Sequence, residues 1–279
     1  MEGSTTRELA ATFDVADDLL WQAIAGRLLS QGRLAIVRSG RIGPLVEMGM
    51  AHKALPGAYD FVTFEPPFFR QIVVALEKGQ ITGAGAQDHA GVFPLRCHDP
   101  AADGTLLWDQ WVKHAENAAI ATGLSRTLVA GLLGALGELQ DNVFDHSGRP
   151  ETGLVAYAVG RNTFEFVVAD AGIGVLASLR QNPEFAALRD SGEALRAAAS
   201  DGASRYARST GHGYGISRLF RALAQDYADL RFRSGDYALR LCGDAPSLTG
   251  HVELAQKARL GGLTISVRCA PGESPSRQG

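Results

Sequence analysis

The sequence predicts an α/β protein in two parts, and three observations carry that prediction. Apolar residues recur at helical spacing in some segments and alternate in others, so helices and strands interleave along the chain. The 279 residues suit one large domain or two modest ones, and a stretch over 82–104, rich in Gly, Ala, Asp and His with Pro94 and Pro100, marks a loop-rich boundary. The chain is 46% hydrophobic and 20% charged, a globular balance that excludes a disordered protein. Its 27 basic and 30 acidic residues leave a net charge of -3, without the electrostatic footprint of a nucleic-acid binder.

The first part reads as a small α/β unit. A helix is expected over 17–30 from the spacing of Leu20, Trp21, Ile24 and Leu28, followed by a strand over 34–37. A Gly43-Pro44 turn leads to a helix over 45–55. A strand over 59–64 is stopped by Pro66-Pro67, and a helix over 69–76 is closed by Gly79. No catalytic constellation stands out here. In the boundary stretch, His89, Cys97, His98 and Asp99 match no standard zinc spacing.

The second part opens with a helix over 108–120 and a longer one for which Ser125 is the N-cap, ending near Ser147-Gly148. Adjacent strands over 154–159 and 164–169 are joined through Gly160-Arg161-Asn162. Helices over 185–199 and 215–227 follow, then strands over 230–233, 237–242 and 263–269, and a Pro/Ser-rich tail over 272–279 expected to be disordered. Three widely spaced cysteines, no basic-then-apolar leader and no long apolar run point to a reducing compartment, the cytoplasm, and away from a membrane. No basic amphipathic helix suggests a membrane surface either.

Three motifs stand out in this part. On the long helix, at about 100° per residue, Leu128, Leu132, Leu136, Leu139 and Val143 share one side. Glu138, Asn142 and His146 form a separate polar stripe that continues toward the N-terminus as Gly131 and Gly134. Glycine costs about 1 kcal/mol in a helix interior, so close backbone packing is expected along that stripe. The second motif, Asp170-Ala171-Gly172-Ile173-Gly174, follows a strand. Its carboxylate can accept a hydrogen bond from an exocyclic amine, while its glycines let the backbone turn and a flat ligand approach. The third, Gly211-His212-Gly213-Tyr214-Gly215, runs into a helix whose N-terminal amides suit phosphate oxygens. It is neither a dinucleotide fingerprint nor a Walker loop.

Taken in order, Glu138-xxx-Asn142-xxx-His146, Asp170-x-Gly172-x-Gly174 and Gly211-x-Gly213-x-Gly215 resemble the N, G1 and G2 boxes of the GHKL ATPase superfamily of histidine kinases, gyrase-type topoisomerases, heat-shock chaperones and MutL. Gly262, Thr264 and Pro271 resemble that superfamily's closing Gly-Thr strand, so the likeness spans about residues 108–271. It implies a Bergerat ATP-binding domain over 105–271, a two-layer sandwich with a mixed sheet and helices on one face, behind an N-terminal region over 1–104 of unassigned role. It also implies ATP and Mg²⁺ as cofactors. Asn142 would hold Mg²⁺, Glu138 would orient or deprotonate the attacking group, and Asp170 would read the adenine amine. Gly172 and Gly174 would admit the nucleotide, with Gly211, Gly213 and Gly215 around its phosphates. Residues 175–210 would form a lid carrying Arg205 and Arg208 toward the γ-phosphate, with His146 beside the site. Ala171 departs from the Asn found there in many histidine kinases.

Within the superfamily, the phosphoacceptor of a sensor kinase is missing: His52, His89, His98 and His114 all lack the His-Glu-x-x-x-Pro setting. The run Asn142-Val-Phe-Asp-His146-Ser147 is most similar to small anti-sigma-type ATPases, which bind or phosphorylate STAS-type partners. The resemblance therefore implies a regulatory Mg²⁺-dependent ATPase or Ser/Thr kinase with a STAS-like protein partner, a homodimer being open to it. The alternatives are a nucleotide-gated conformational switch and a non-catalytic interaction protein.

Overall fold

Residues 7–64 alternate strand and helix, and the strands pair in parallel. The computed structural model describes residues 7–26, 35–57, 59–83, 85, 88–98, 106–199, 228–241 and 252–270. Strands β1 (Arg7–Ala11), β2 (Ala35–Gly40) and β3 (Val62–Phe64) form a parallel sheet in that order. Parallel neighbours need crossovers, and α1 (Phe13–Ile24) and α2 (Ile42–Ala54) lie in those connections. The Thr12 hydroxyl accepts the Val15 amide at 3.2 Å and caps α1, which starts earlier than its apolar spacing suggests. Helix α3 (Pro67–Lys78) begins at the second proline of the pair and ends at Gly79, as its flanking residues predict.

A second sheet takes up the rest of the chain. It orders β4 (Ala90–Pro94), β5 (Leu154–Gly160), β6 (Thr163–Asp170), β8 (Val252–Cys269) and β7 (Ala228–Leu241) side by side. Among the described residues every pairing in it is antiparallel, which corrects the expected mixed sheet, and the parallel pairings are those of β1–β3. The tight connection explains the β5–β6 pairing: Gly160 pairs with Thr163 across Arg161 and Asn162, with Asn162 at φ 55°. Strand β4 lies inside the stretch expected to be loop, so this sheet draws on chain preceding residue 105.

Helices α4 (Leu106–Ala121), α5 (Arg126–His146), α6 (Gly174–Leu179) and α7 (Ser191–Ala199) cover one face of the five-stranded sheet. Trp111, Leu132, Leu136, Val155, Tyr157, Phe166, Phe232 and Ile265 are in that core. The opposite face presents Leu154, Ala156, Val167, Ala169, Ala258 and Leu260 to the N-terminal unit, where α2 packs on β6 and β8. The expectation of helices on one face is therefore corrected: both faces are covered. Strands β5 and β6 are apolar at consecutive positions, and a strand apolar on both sides needs cover on both. Helix α2 is likewise buried from Ile42 to Ala51 and, apart from Glu47, apolar on every side, as a helix enclosed by neighbours must be.

Charge is buried in this second interface. Arg231 and Arg233 of β7 face the N-terminal helices with 4% and 2% exposure. Arg231 meets Asp17 of α1 at 2.7 Å and Glu47 of α2 at 2.7 Å, and Arg233 meets Glu47 at 3.1 Å and also pairs with Asp17. Lys257 of β8 reaches Asp17 at 2.9 Å. The guanidinium groups hold the Asp17 carboxyl below its ordinary range in spite of its burial. Beside this cluster, Glu165 of β6 accepts the Gly43 amide at 3.1 Å, with Arg41 at 3.4 Å. These residues lie far apart in sequence, and no local pattern announces their meeting.

Candidate functional site

The glycine-containing loop after β6 is fixed amide by amide. Asp170, the last residue of β6, is 3% exposed and its Oδ1 accepts the Gly172 amide at 2.7 Å. The Ala171 amide donates to the Thr152 hydroxyl at 3.0 Å, Ile173 to the Ser147 carbonyl at 2.9 Å, and Val175 to the Ser234 hydroxyl at 3.0 Å. Buried amides need acceptors, and three different elements supply them to this turn.

Two glycines are required by close approach. A Cβ on Gly172 would overlap the Ser147 carbonyl at the end of α5. Gly262 has φ +77°, and a Cβ there would run into the Asp170 carbonyl. The approach of Gly262 comes from a bulge: Ser234 of β7 pairs with Leu263, but the next residue, Gly235, pairs with Leu260. Residues 261 and 262 are extra in β8, and the Gly262 carbonyl accepts the Ser234 hydroxyl at 2.8 Å. Bulges of this kind re-aim backbone beside functional sites.

The electrostatics centre on Asp170. Among the described residues it has no cation partner; burial pushes its carboxyl up to about 6, partly opposed by the Gly172 and Leu263 amides. A buried acidic group at a strand end, held only by backbone donors, retains lone pairs for an incoming N–H donor.

The polar stripe of α5 reaches this loop at its C-terminal end. Ser125 caps the helix as expected, its hydroxyl accepting the Leu128 amide at 3.2 Å. His146 is half-buried in the last turn, and Ser147, one residue on, holds the loop. Asn142 is half-buried and Glu138 exposed, at successive steps of about 6 Å up the same stripe. The structure thus brings the end of the first motif to the second. On the same helix the Asp141 carboxyl is raised by burial and by neighbouring Asp145.

Three expectations change. Gly131 and Gly134 have no described atom within 4 Å of a built Cβ, so close packing does not account for them among the described residues. Residues 175–199 are not a lid: α6 and α7 bury Val175, Leu179, Ala194, Leu195 and Ala198 in the core. The helix expected over 185–199 begins only at Ser191, after a short 3-10 turn at Pro183–Phe185. Gly211, Gly213, Gly215, Arg205 and Arg208 lie outside the described residues, as do the helix expected over 215–227 and the tail over 272–279.

Thr152, Ser147 and Ser234 hold the loop, yet none has a local sequence signal. A Ser or Thr in a turn or strand is unremarkable until the fold brings an orphan amide to it. A cavity of about 440 Å³ opens elsewhere, between α4 and the β5–β6 turn, where His89, His114 and Arg161 line it. None of the expected site residues is part of it. Among the described residues no helix is long and apolar enough to cross a membrane. Comparison of the chain with family models, curated proteins and solved structures finds no match.

Proposed function

We propose that this chain is a cytoplasmic, ATP-binding regulatory protein of the histidine-kinase-like class, a Mg²⁺-dependent ATPase or Ser/Thr kinase acting on a STAS-like protein partner. The observation that carries the reading is Asp170: a buried carboxyl at a strand end, without a cation partner among the described residues, under a loop whose amides are tied to α5, β7 and the turn before β5. An adenine amine is a donor that such an acceptor suits. The order of the three motifs supports the same reading.

In this proposal Asp170 orients the base, and Gly172 and Gly174 keep the backbone bare beside it. Asn142 holds Mg²⁺, His146 stands next to it, and Glu138 orients or deprotonates a water or a substrate hydroxyl. Gly211, Gly213 and Gly215 cradle phosphate, with Arg205 and Arg208 toward its end. Bound ATP would supply the phosphoryl group and the metal would screen its charge.

Calorimetric titration of the full chain with ATP and Mg²⁺ tests it. Asp170→Asn is expected to weaken binding at least tenfold, about 1.4 kcal/mol. Asn142→Ala should lose the Mg²⁺-dependent part of binding, whereas Glu138→Ala should bind ATP and lose turnover. Absence of binding at millimolar ATP with Mg²⁺ overturns the proposal. Binding without turnover or transfer, with any partner, would overturn the ATPase and kinase readings and leave the nucleotide-gated switch or the non-catalytic interaction protein.

A further inference from the structure

Strand β7 sends neighbouring side chains to two different places. On one face Arg231 and Arg233 pair with Asp17 and Glu47 of the N-terminal helices, and Arg233 also donates to the Ala258 carbonyl at 2.6 Å. On the other face Ser234, 2% exposed, accepts the Val175 amide at 3.0 Å and donates to the Gly262 carbonyl at 2.8 Å. Successive strand residues point to opposite faces, so Arg233 and Ser234 stand back to back on adjoining backbone. The β7–β8 ladder breaks immediately after Ser234, where pairing jumps from Leu263 to Leu260. A single hydroxyl therefore ties the loop amide to the bulge carbonyl at the point where the regular ladder is interrupted.

We propose that Ser234 is the positioning residue of the 171–175 loop, and that β7 transmits the state of the N-terminal unit to it through the Asp17–Glu47–Arg231–Arg233 cluster. Two buried carboxylates and two buried guanidinium groups form a rigid contact, because removing any one leaves its partners charged and dry. A shift of α1 or α2 therefore moves Arg233, and Ser234 with it. The N-terminal unit thereby becomes a control element for the loop rather than only a cover for the sheet. Its consequence for a bound nucleotide rests on the reading above, but the mechanical link does not.

Amide hydrogen exchange of the full chain, without nucleotide, separates the two. Ser234→Ala is expected to speed exchange at Val175 at least tenfold. Glu47→Gln, remote from the loop, should speed exchange across 171–175 several-fold while the β5–β6 amides keep their protection. Ile72→Val removes a methyl from the same N-terminal core without touching the cluster, and should leave 171–175 unchanged. Should Glu47→Gln fail to fold, Lys257→Met takes its place, since it removes one of the three cations around Asp17 and leaves both arginines paired. The double variant of Ser234→Ala with either should exchange no faster at Val175 than Ser234→Ala alone.

Wild-type protection at 171–175 in the folded cluster variant overturns the link, and so does an equal rise in Ile72→Val. Unchanged exchange in Ser234→Ala, or additive effects in the double variant, removes Ser234 from it. Failure to bind ATP would sink the nucleotide reading and leave these rates as they are.

Discussion

Burial of the Asp170 carboxyl sets a cost that the folded chain carries. Its carboxyl is pushed up to about 6 by burial, while in the unfolded chain it titrates near its ordinary value of about 4. Between those values the folded state holds a proton that the unfolded state has released, so stability falls as pH rises from about 4 to about 6 and stays lower above. Asp170→Asn removes this dependence. The variant is expected to match the wild type near pH 4 and exceed it at pH 7 by up to about 3 kcal/mol. Thermal melts at the two pH values check this. A wild-type advantage at pH 7 would show that the carboxylate is stabilised by something other than the Gly172 and Leu263 amides.

Helix α5 shows how much one element can reveal. Its cap at Ser125 and its apolar side through Leu132, Leu136, Leu139 and Val143 follow from spacing alone, and all four of those apolar residues are buried. The glycines of its other side do not follow. With no described atom near Gly134, alanine there gains helix propensity and loses nothing that is seen: Gly134→Ala is expected to stabilise the chain by about 1 kcal/mol. Denaturant unfolding measures it; a loss of stability would show that the stripe packs closely against something. Strand β4 illustrates the reverse. Its apolar pair Val92-Phe93 is short and sits among glycine, alanine and proline, so nothing local separates it from a loop until β5 pairs with it.

At the scale of the molecule, the five-stranded sheet depends on the N-terminal unit. Without residues 1–104, Leu154, Ala156, Val167, Ala169, Ala258 and Leu260 would face water, β5 would lose its β4 neighbour, and Arg231 and Arg233 would lose Asp17 and Glu47. Returning a buried Leu or Val side chain to water costs about 1.5–3 kcal/mol, and for Leu154, Val167 and Leu260 together the cost is comparable with a domain's whole margin of stability. A fragment of residues 105–279 is therefore expected to lack a cooperative melt and to be recovered insoluble, whereas the full chain melts cooperatively. A fragment that melts like the full chain would show that the covered face and its ion pairs are dispensable.

The alternation of helix and strand, the cap and apolar side of α5, the closing of α3 at Gly79 and the Asp170–Gly174 turn are all legible in the chain itself. Each depends on residues within a turn or two of one another, where spacing and backbone preference act directly. What only the folded chain decides is which distant groups meet: β4 with β5, Ser234 with the loop amide of Val175, and two arginines with Asp17 and Glu47 some two hundred residues earlier. Hydrogen bonds and ion pairs of that kind leave no periodic trace, because their partners are set by how the sheets and helices stack. That the second face of the sheet is covered is not read from the sequence, whose resemblance to the GHKL superfamily implies helices on one face only. What covers it, and how that cover is tied through β7 to the Asp170 loop, emerges only from the packing of two units against one another.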